Sequence, residues 1–236
     1  MLDVRNIAFS YGSAPVLRDV SFMVSPGEVV SVVGGNGAGK TTLLRVLATL
    51  AMPDAGLVML DGQDALARPL RYRRQIGYMP ESVPAEGYMK VRDYLEYRAV
   101  LKGELSKRIR RRVNEAMELC RIGDIARSHV GRLSLGLRKR VALAEAILLR
   151  PRVLLLDDFL AGLDTAMRET AGQVLSDAAA FSSVIATGHE IADMARWTTR
   201  FLVLEAGVIN TVIPAAGAAL PALVETVRGA LKGGAR

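Results

Sequence analysis

The chain has 236 residues, half of them hydrophobic, and a formal net charge of +7. That composition is ample for a packed core and excludes a disordered chain, while a single cysteine, Cys120, excludes an internal disulfide and suits a reducing compartment. No apolar run approaches the roughly 20 residues of a membrane-spanning helix, and Met1-Leu2-Asp3-Val4-Arg5 lacks the pattern of a secretion signal, so the chain is expected to stay in the cytoplasm.

The first thirty residues read as short strands, Val4 to Ser10 and Val20 to Val24, with the turn Gly12-Ser13-Ala14-Pro15 between them. After Pro26-Gly27, the β-branched run from Glu28 to Val33 has the continuous apolar character of a strand buried on both faces. A glycine-rich loop follows at once, then helical sequence from Lys40 to about Leu50. Pro53-Asp54-Ala55-Gly56 breaks that helix before a further strand, Leu57 to Leu60.

From Val91 to about Leu149 the apolar spacing turns helical, as at Val113, Met117 and Cys120, which makes Cys120 a buried, inert thiol. The run Lys107-Arg108-Ile109-Arg110-Arg111-Arg112 reads as a solvated helix face. A second buried strand, Val153 to Leu156, ends in Asp157-Asp158. Two more strands are expected at Ser183 to Thr187 and Phe201 to Leu204, with a helix between Ile191 and Trp197. Strands alternating with helices indicate an α/β core with a mostly parallel sheet, the central helices forming an inserted lobe. Beyond Gly207, Leu220, Leu223, Val224, Val227 and Leu231 make one apolar stripe, which packs a terminal helix on the body or on a twin subunit.

Gly34-Gly35-Asn36-Gly37-Ala38-Gly39-Lys40-Thr41 matches G-x-x-x-x-G-K-[ST] at every fixed position, between a buried strand and a helix. The glycines permit backbone angles that turn successive N–H groups inward on phosphate oxygens. Lys40 brings a point charge to the terminal phosphates, Thr41 offers a hydroxyl to Mg²⁺, and the helix start adds its positive end. Gly34, Asn36, Gly37, Gly39, Lys40, Thr41 and Thr42 are the expected nucleotide-binding residues. The loop identifies nucleotide binding but not the reaction, because kinases, GTPases and motor ATPases share it.

Downstream lie Leu133-Ser134-Leu135-Gly136-Leu137-Arg138-Lys139-Arg140, the strand-end pair Asp157-Asp158, Ala161-Gly162-Leu163-Asp164 and Thr187-Gly188-His189-Glu190. With Phe9-Ser10-Tyr11-Gly12 near the start, this order resembles the ABC transporter ATPase family over about the first 210 residues. The resemblance implies a P-loop NTPase core with an N-terminal antiparallel β subdomain and an inserted helical subdomain at about 82–150, leaving 211–236 as a tail with a short helix. It implies ATP and Mg²⁺ as cofactors. Tyr11 then stacks on adenine, Asp157 holds Mg²⁺ through water, and His189 is the switch histidine near the γ-phosphate. Ser134 and Gly136 cap the γ-phosphate bound by a second ATPase subunit, and Asp164 lies in the loop crossing that interface. The partners implied are that second subunit and an integral membrane permease, which holds the chain on the inner face of the membrane. His129 matches nothing and reads as structural.

Four positions depart from the family pattern. Asp158 stands where Glu usually polarises the attacking water; Phe159 follows it in place of proline. Leu135 and Leu137 replace a glycine and a polar residue of the signature loop. Glu81, in Ile76-Gly77-Tyr78-Met79-Pro80-Glu81, stands where many members carry a glutamine that senses Mg²⁺ and the membrane subunit, and a carboxylate also binds a hard cation. Glu81 followed by Ser82-Val83-Pro84 and Val91-Arg92-Asp93-Tyr94-Leu95 resembles the subgroup serving ABC-2-type exporters. Misplacement by ~1 Å lowers a rate about 10²-fold, so the shorter Asp158 is expected to leave ATP binding and dimer closure intact while slowing hydrolysis. An ATP-dependent dimerisation switch with a regulatory role is the alternative. No nucleic acid is expected, since a DNA-associated relative would carry coiled-coil arms or a second fused ATPase unit. A small-molecule P-loop kinase leaves Leu133 to Gly136, Asp164 and His189 unexplained.

Overall fold

The computed structural model describes residues 1–83 and 87–233. Strands β1 (Leu2–Tyr11) and β2 (Ala14–Val24) form an antiparallel hairpin about Gly12-Ser13, where Gly12 takes a φ of 60°. With β4 (Ala55–Leu60) and β5 (Gln63–Asp64) they make a four-stranded sheet in the order β2-β1-β4-β5. Every pairing in this sheet is antiparallel.

The second sheet has the order β10-β9-β3-β8-β7-β6. It is built from β3 (Val29–Val33), β6 (Ile76–Met79), β7 (Val153–Leu156), β8 (Ser183–Thr187), β9 (Arg200–Glu205) and β10 (Val208–Pro214). All neighbours run parallel except β10, which lies antiparallel on the edge. Every residue of β3, β7 and β8 is buried, because both faces of this sheet are covered and alternate residues serve different cores. Val30, Val32, Leu155 and Ile185 pack with α1 (Lys40–Leu47) and the antiparallel sheet. Val29, Val33, Leu154, Leu156 and Val184 pack with the helices on the other side.

Helix α1 stops at Leu47, three residues short of the sequence expectation, because Thr49 turns into the left-handed region at φ 56°. The short α2 (Pro69–Arg73) leads into β6, which presses on α5 (Leu135–Ile147): a Cβ at Gly77 would run into the Ala146 carbonyl. Between β6 and β7 the chain builds α3 (Val91–Leu101), α4 (Ser106–Leu119) and α5. Val113, Met117 and Cys120 are buried there, and burial pushes the Cys120 thiol well above its ordinary pKa. Lys107, Arg108, Arg110 and Arg111 face solvent, as a solvated helix face should. Glu145 braces α3 to α5: Tyr94 donates to it at 2.5 Å, Arg98 at 2.7 Å, and Lys102 lies 3.5 Å away.

Helix α6 (Thr165–Ala179) precedes β8, and α7 (Ile191–Met194) is shorter than the Ile191–Trp197 expectation. In α8 (Leu220–Gly233) the buried side of the stripe, Leu223, Val224 and Val227, packs on α7 and β9 of its own chain rather than awaiting a twin. Among the described residues no helix is long and apolar enough to cross a membrane.

Candidate functional site

The glycine-rich loop leaves the C-terminal end of β3, at the centre of the parallel sheet. Gly34 sits where a Cβ would run into the Leu204 carbonyl of β9, so only glycine lets the chain exit there. Gly37 and Gly39 take φ values of 78° and 104°, in the left-handed region that side chains resist. Lys40 folds its ammonium back on the loop, donating to the carbonyls of Gly34 at 2.9 Å and Gly35 at 3.0 Å. Burial lowers its pKa, against the opposing pull of Asp158, Asp157 and Glu81.

Asp157 and Asp158 follow the end of β7. Asp157 Oδ1 accepts from the Thr41 hydroxyl at 3.1 Å and the Thr187 hydroxyl at 2.8 Å. Its Oδ2 is buried without a hydrogen-bond partner. Burial raises its carboxyl pKa despite the two hydroxyl donors, the condition of a carboxylate awaiting a cation. Among the described residues no group of three or more acidic, histidine or cysteine side chains could hold a metal alone. One buried carboxylate and a neighbouring hydroxyl, both hard oxygen donors, fit Mg²⁺, which takes one or two protein carboxylates and fills its shell with phosphate and water. Thr41 and Asp157 would hold it, with Glu81 on the same cavity wall as a further oxygen.

Asp158 lies at φ 43°. Asp visits that region more readily than most residues, including Glu, so the shorter acid suits this turn. Its N–H donates to the Thr187 hydroxyl at 2.9 Å, and its Oδ1 is buried and unpartnered. Burial raises the carboxyl pKa; His189 opposes that rise and Glu190 adds to it.

These groups open on one cavity of about 630 Å³, lined by Val16, residues 36–42, Glu81, Asp157, Asp158, Thr187 and His189. The antiparallel sheet contributes Val16 rather than Tyr11, which is exposed at the end of β1 and stacks edge-to-face on Phe9 at 4.8 Å. Ser134, Gly136 and Asp164 lie outside the lining as well. Ser134 caps α5 by accepting from the Leu137 N–H at 3.4 Å, and Asp164 caps α6 by accepting from the Met167 N–H at 2.8 Å. Gly136 is needed within its own chain, since a Cβ there would overlap Met167 Sδ. His129 is anchored outside the site, its Nδ1 3.0 Å from the Tyr88 carbonyl. Pro84 falls outside the described residues.

Two further participants, Thr187 and Lys139, lie inside the motifs above without a role assigned by them. Thr187 ties the two aspartates together through one hydroxyl. Lys139 of α5 reaches across to the Asp158 carbonyl at 3.0 Å. A second hollow, of about 320 Å³, lies between α2 and the end of α3, its wall combining Leu70 and Leu101 with Arg73, Arg74 and Lys102.

Residues 17–161 match the family model described as ABC transporter. The chain is 35% identical over 218 residues to the sulfate/thiosulfate import ATP-binding protein CysA of Methylococcus capsulatus, an alignment covering 89% of this chain and 62% of that protein. It is 33% identical over 169 residues to the Fe(3+) ions import ATP-binding protein FbpC of Photorhabdus laumondii, covering 72% of this chain and 48% of that one. The chain therefore spans about half to three fifths of the length of these relatives. Among solved structures, the ATP binding subunit of an ABC transporter superposes with a TM-score of 0.84 at 25% identity, over 97% of this chain and 99% of that one. A dimeric post-hydrolysis state of the ATP-binding cassette MJ0796, bound to ADP and Pi, superposes with a TM-score of 0.82 over 92% of this chain and 100% of that one; at 24% identity it speaks for the fold.

Proposed function

The chain belongs to the ABC transporter family, and from that membership we propose that it is the ATP-binding and ATP-hydrolysing subunit of a transporter, driving a membrane permease by closing on ATP as a dimer. The observation that carries this reading is the single cavity shared by the phosphate loop, Asp157, Asp158, Glu81 and His189. The N–H groups of residues 36–41 receive the phosphates, and Lys40 moves from the loop carbonyls to the terminal phosphates. Mg²⁺ held by Thr41 and Asp157 would supply neutralisation of the charge that develops on the phosphate oxygens. Asp158 takes the proton of the attacking water as its oxygen bonds to the γ-phosphorus and ADP departs; His189 contacts the γ-phosphate. Tyr11, on the rim of the antiparallel sheet, closes over adenine.

Ser134, Gly136 and Asp164 act on the nucleotide of a second subunit, a role that their absence from the cavity of their own chain supports. The permease seats a cytoplasmic helix beside the helical lobe, where the hollow bounded by Leu70, Leu101 and Arg74 gives it apolar and cationic contacts. Glu81 is what favours an exporter; the relatives above are named for import and lend that subgroup no support.

Asp158 makes hydrolysis slow relative to binding. The test is ATP turnover of the purified chain against Asp158→Glu, with dimerisation followed by light scattering. The expected result is ATP-dependent dimers, slow parental turnover and a variant faster by about tenfold or more. Equal and ordinary rates in both would refute the slow-hydrolysis reading and leave a conventional transport motor.

A further inference from the structure

Among the described residues Lys139 is the only buried lysine, 4% exposed. An ammonium taken out of water needs compensation. Lys139 finds it in a hydrogen bond of 3.0 Å to the Asp158 main-chain carbonyl and in the negative field of Asp158, Glu190 and Glu81. Burial lowers its pKa and those three carboxylates oppose the shift.

The bond joins two parts of the molecule. Lys139 stands on α5, five residues after Ser134, about 7.5 Å further along the helix axis. Asp158 belongs to the turn after β7. That turn is held on both sides: its N–H donates to Thr187 from the sheet, and its carbonyl accepts from the Ala161 N–H at 3.1 Å within the turn and from Lys139 of the helical lobe. The carboxylate Oδ1 is buried without a hydrogen-bond partner, so the main-chain bonds of the turn bear directly on where it points. A carboxylate one methylene short of the usual glutamate depends more heavily on that placement.

We infer that Lys139 is a positioning residue for hydrolysis: from α5 it holds the main-chain carbonyl of Asp158, and with it the turn that aims the Asp158 carboxylate. This rests on the ATPase reading above.

The test uses the full chain with Mg²⁺ and ATP, comparing Lys139→Met, Lys139→Arg, Asp158→Asn and the Lys139→Met/Asp158→Asn double variant. Lys139→Met is expected to lower kcat by about 10- to 100-fold, with the KM for ATP and ATP-dependent dimerisation held within about twofold. Lys139→Arg, which keeps a donor, recovers most of the rate. In the Asp158→Asn background the same Lys139→Met change should alter the residual rate by less than about twofold, because the group it positions is already gone. Parental kcat in Lys139→Met overturns the inference. So does an equal loss in both backgrounds, or a loss that tracks a fall in melting temperature and that arginine does not restore. A parent that neither dimerises with ATP nor hydrolyses it overturns the ATPase reading itself.

Discussion

Glu145→Ala is the sharpest stability test of the helical lobe. The substitution removes the carboxylate that joins α3 to α5 and leaves the Arg98 and Lys102 charges side by side at the end of α3 without it, although Lys102 keeps its bond of 2.7 Å to the main-chain carbonyl of residue 145. Removing one partner of a buried ion pair costs about 3–5 kcal/mol. Here the side chains of Arg98 and Lys102 are 31% and 26% exposed, against 10% for Glu145, so water recovers part of that penalty. A loss of roughly 2–3 kcal/mol is expected, which in a chain of this size lowers Tm by roughly 5–10 °C. Thermal and urea unfolding at pH 7 measure it. The pH dependence checks the cause. Burial alone would raise the Glu145 carboxyl, but Lys102, Tyr94 and Arg98 together outweigh it and hold the pKa below the usual value. A folded pKa below the unfolded one gives stability that is complete above the unfolded value, about 4.3, and lost as the pH falls through the folded value. The gap between parent and variant should therefore narrow below about pH 4. A gap under about 0.5 kcal/mol at pH 7, or one that widens in acid, would refute the reasoning.

Three further outcomes concern the site. Gly34→Ala drives a methyl group against the Leu204 main-chain oxygen; neither backbone can retreat, so about 2–3 kcal/mol of stability and binding of a fluorescent ATP analogue should both be lost. Asp157→Asn removes a carboxylate whose pKa is raised by burial. Its folded pKa above the unfolded one means that the charge costs stability at neutral pH, so without nucleotide the variant should have a higher Tm than the parent while losing Mg²⁺-dependent turnover. The raised pKa of Asp158 predicts that kcat falls with acid at a midpoint above the ordinary value of about 3.9, and that the residual rate of Asp158→Asn lacks this limb.

The legible parts of the fold were those whose side chains carry a strong local signal. β3, β7 and β8 read as unbroken apolar runs because both faces are covered, and the phosphate loop is dictated by its own glycines. α6 gives little sequence signal because the face it buries is made of Ala171, Gly172, Val174, Leu175 and Ala178. Small residues give little apolar contrast; Gly172 is there because Trp197 occupies the space of a Cβ. β6 gives a weak strand signal, since Gly77 interrupts its apolar pattern for the sake of contact with α5. β10 exposes most of its residues at the sheet edge and shows no apolar alternation. The acidic residues of the site announced themselves by following buried strands. Lys139 did not, because its meaning lies in a contact nineteen positions away that only the packing of α5 against the β7 turn creates.

The position of β3 has a consequence for how the molecule comes into being. The strand carrying the phosphate loop ends at Val33, yet its two hydrogen-bonded neighbours are β8 and β9, which end at Thr187 and Glu205. At about 5–20 residues per second of synthesis, the nascent loop waits roughly 10–35 s for both neighbours to be made. During that interval Val29 to Val33 is an unpaired apolar strand, while the antiparallel sheet of β1, β2, β4 and β5 is already complete from residues 2–64. ATP has no finished cradle until the last third of the chain is available, so nucleotide can stabilise the completed protein but gives the growing chain no early template.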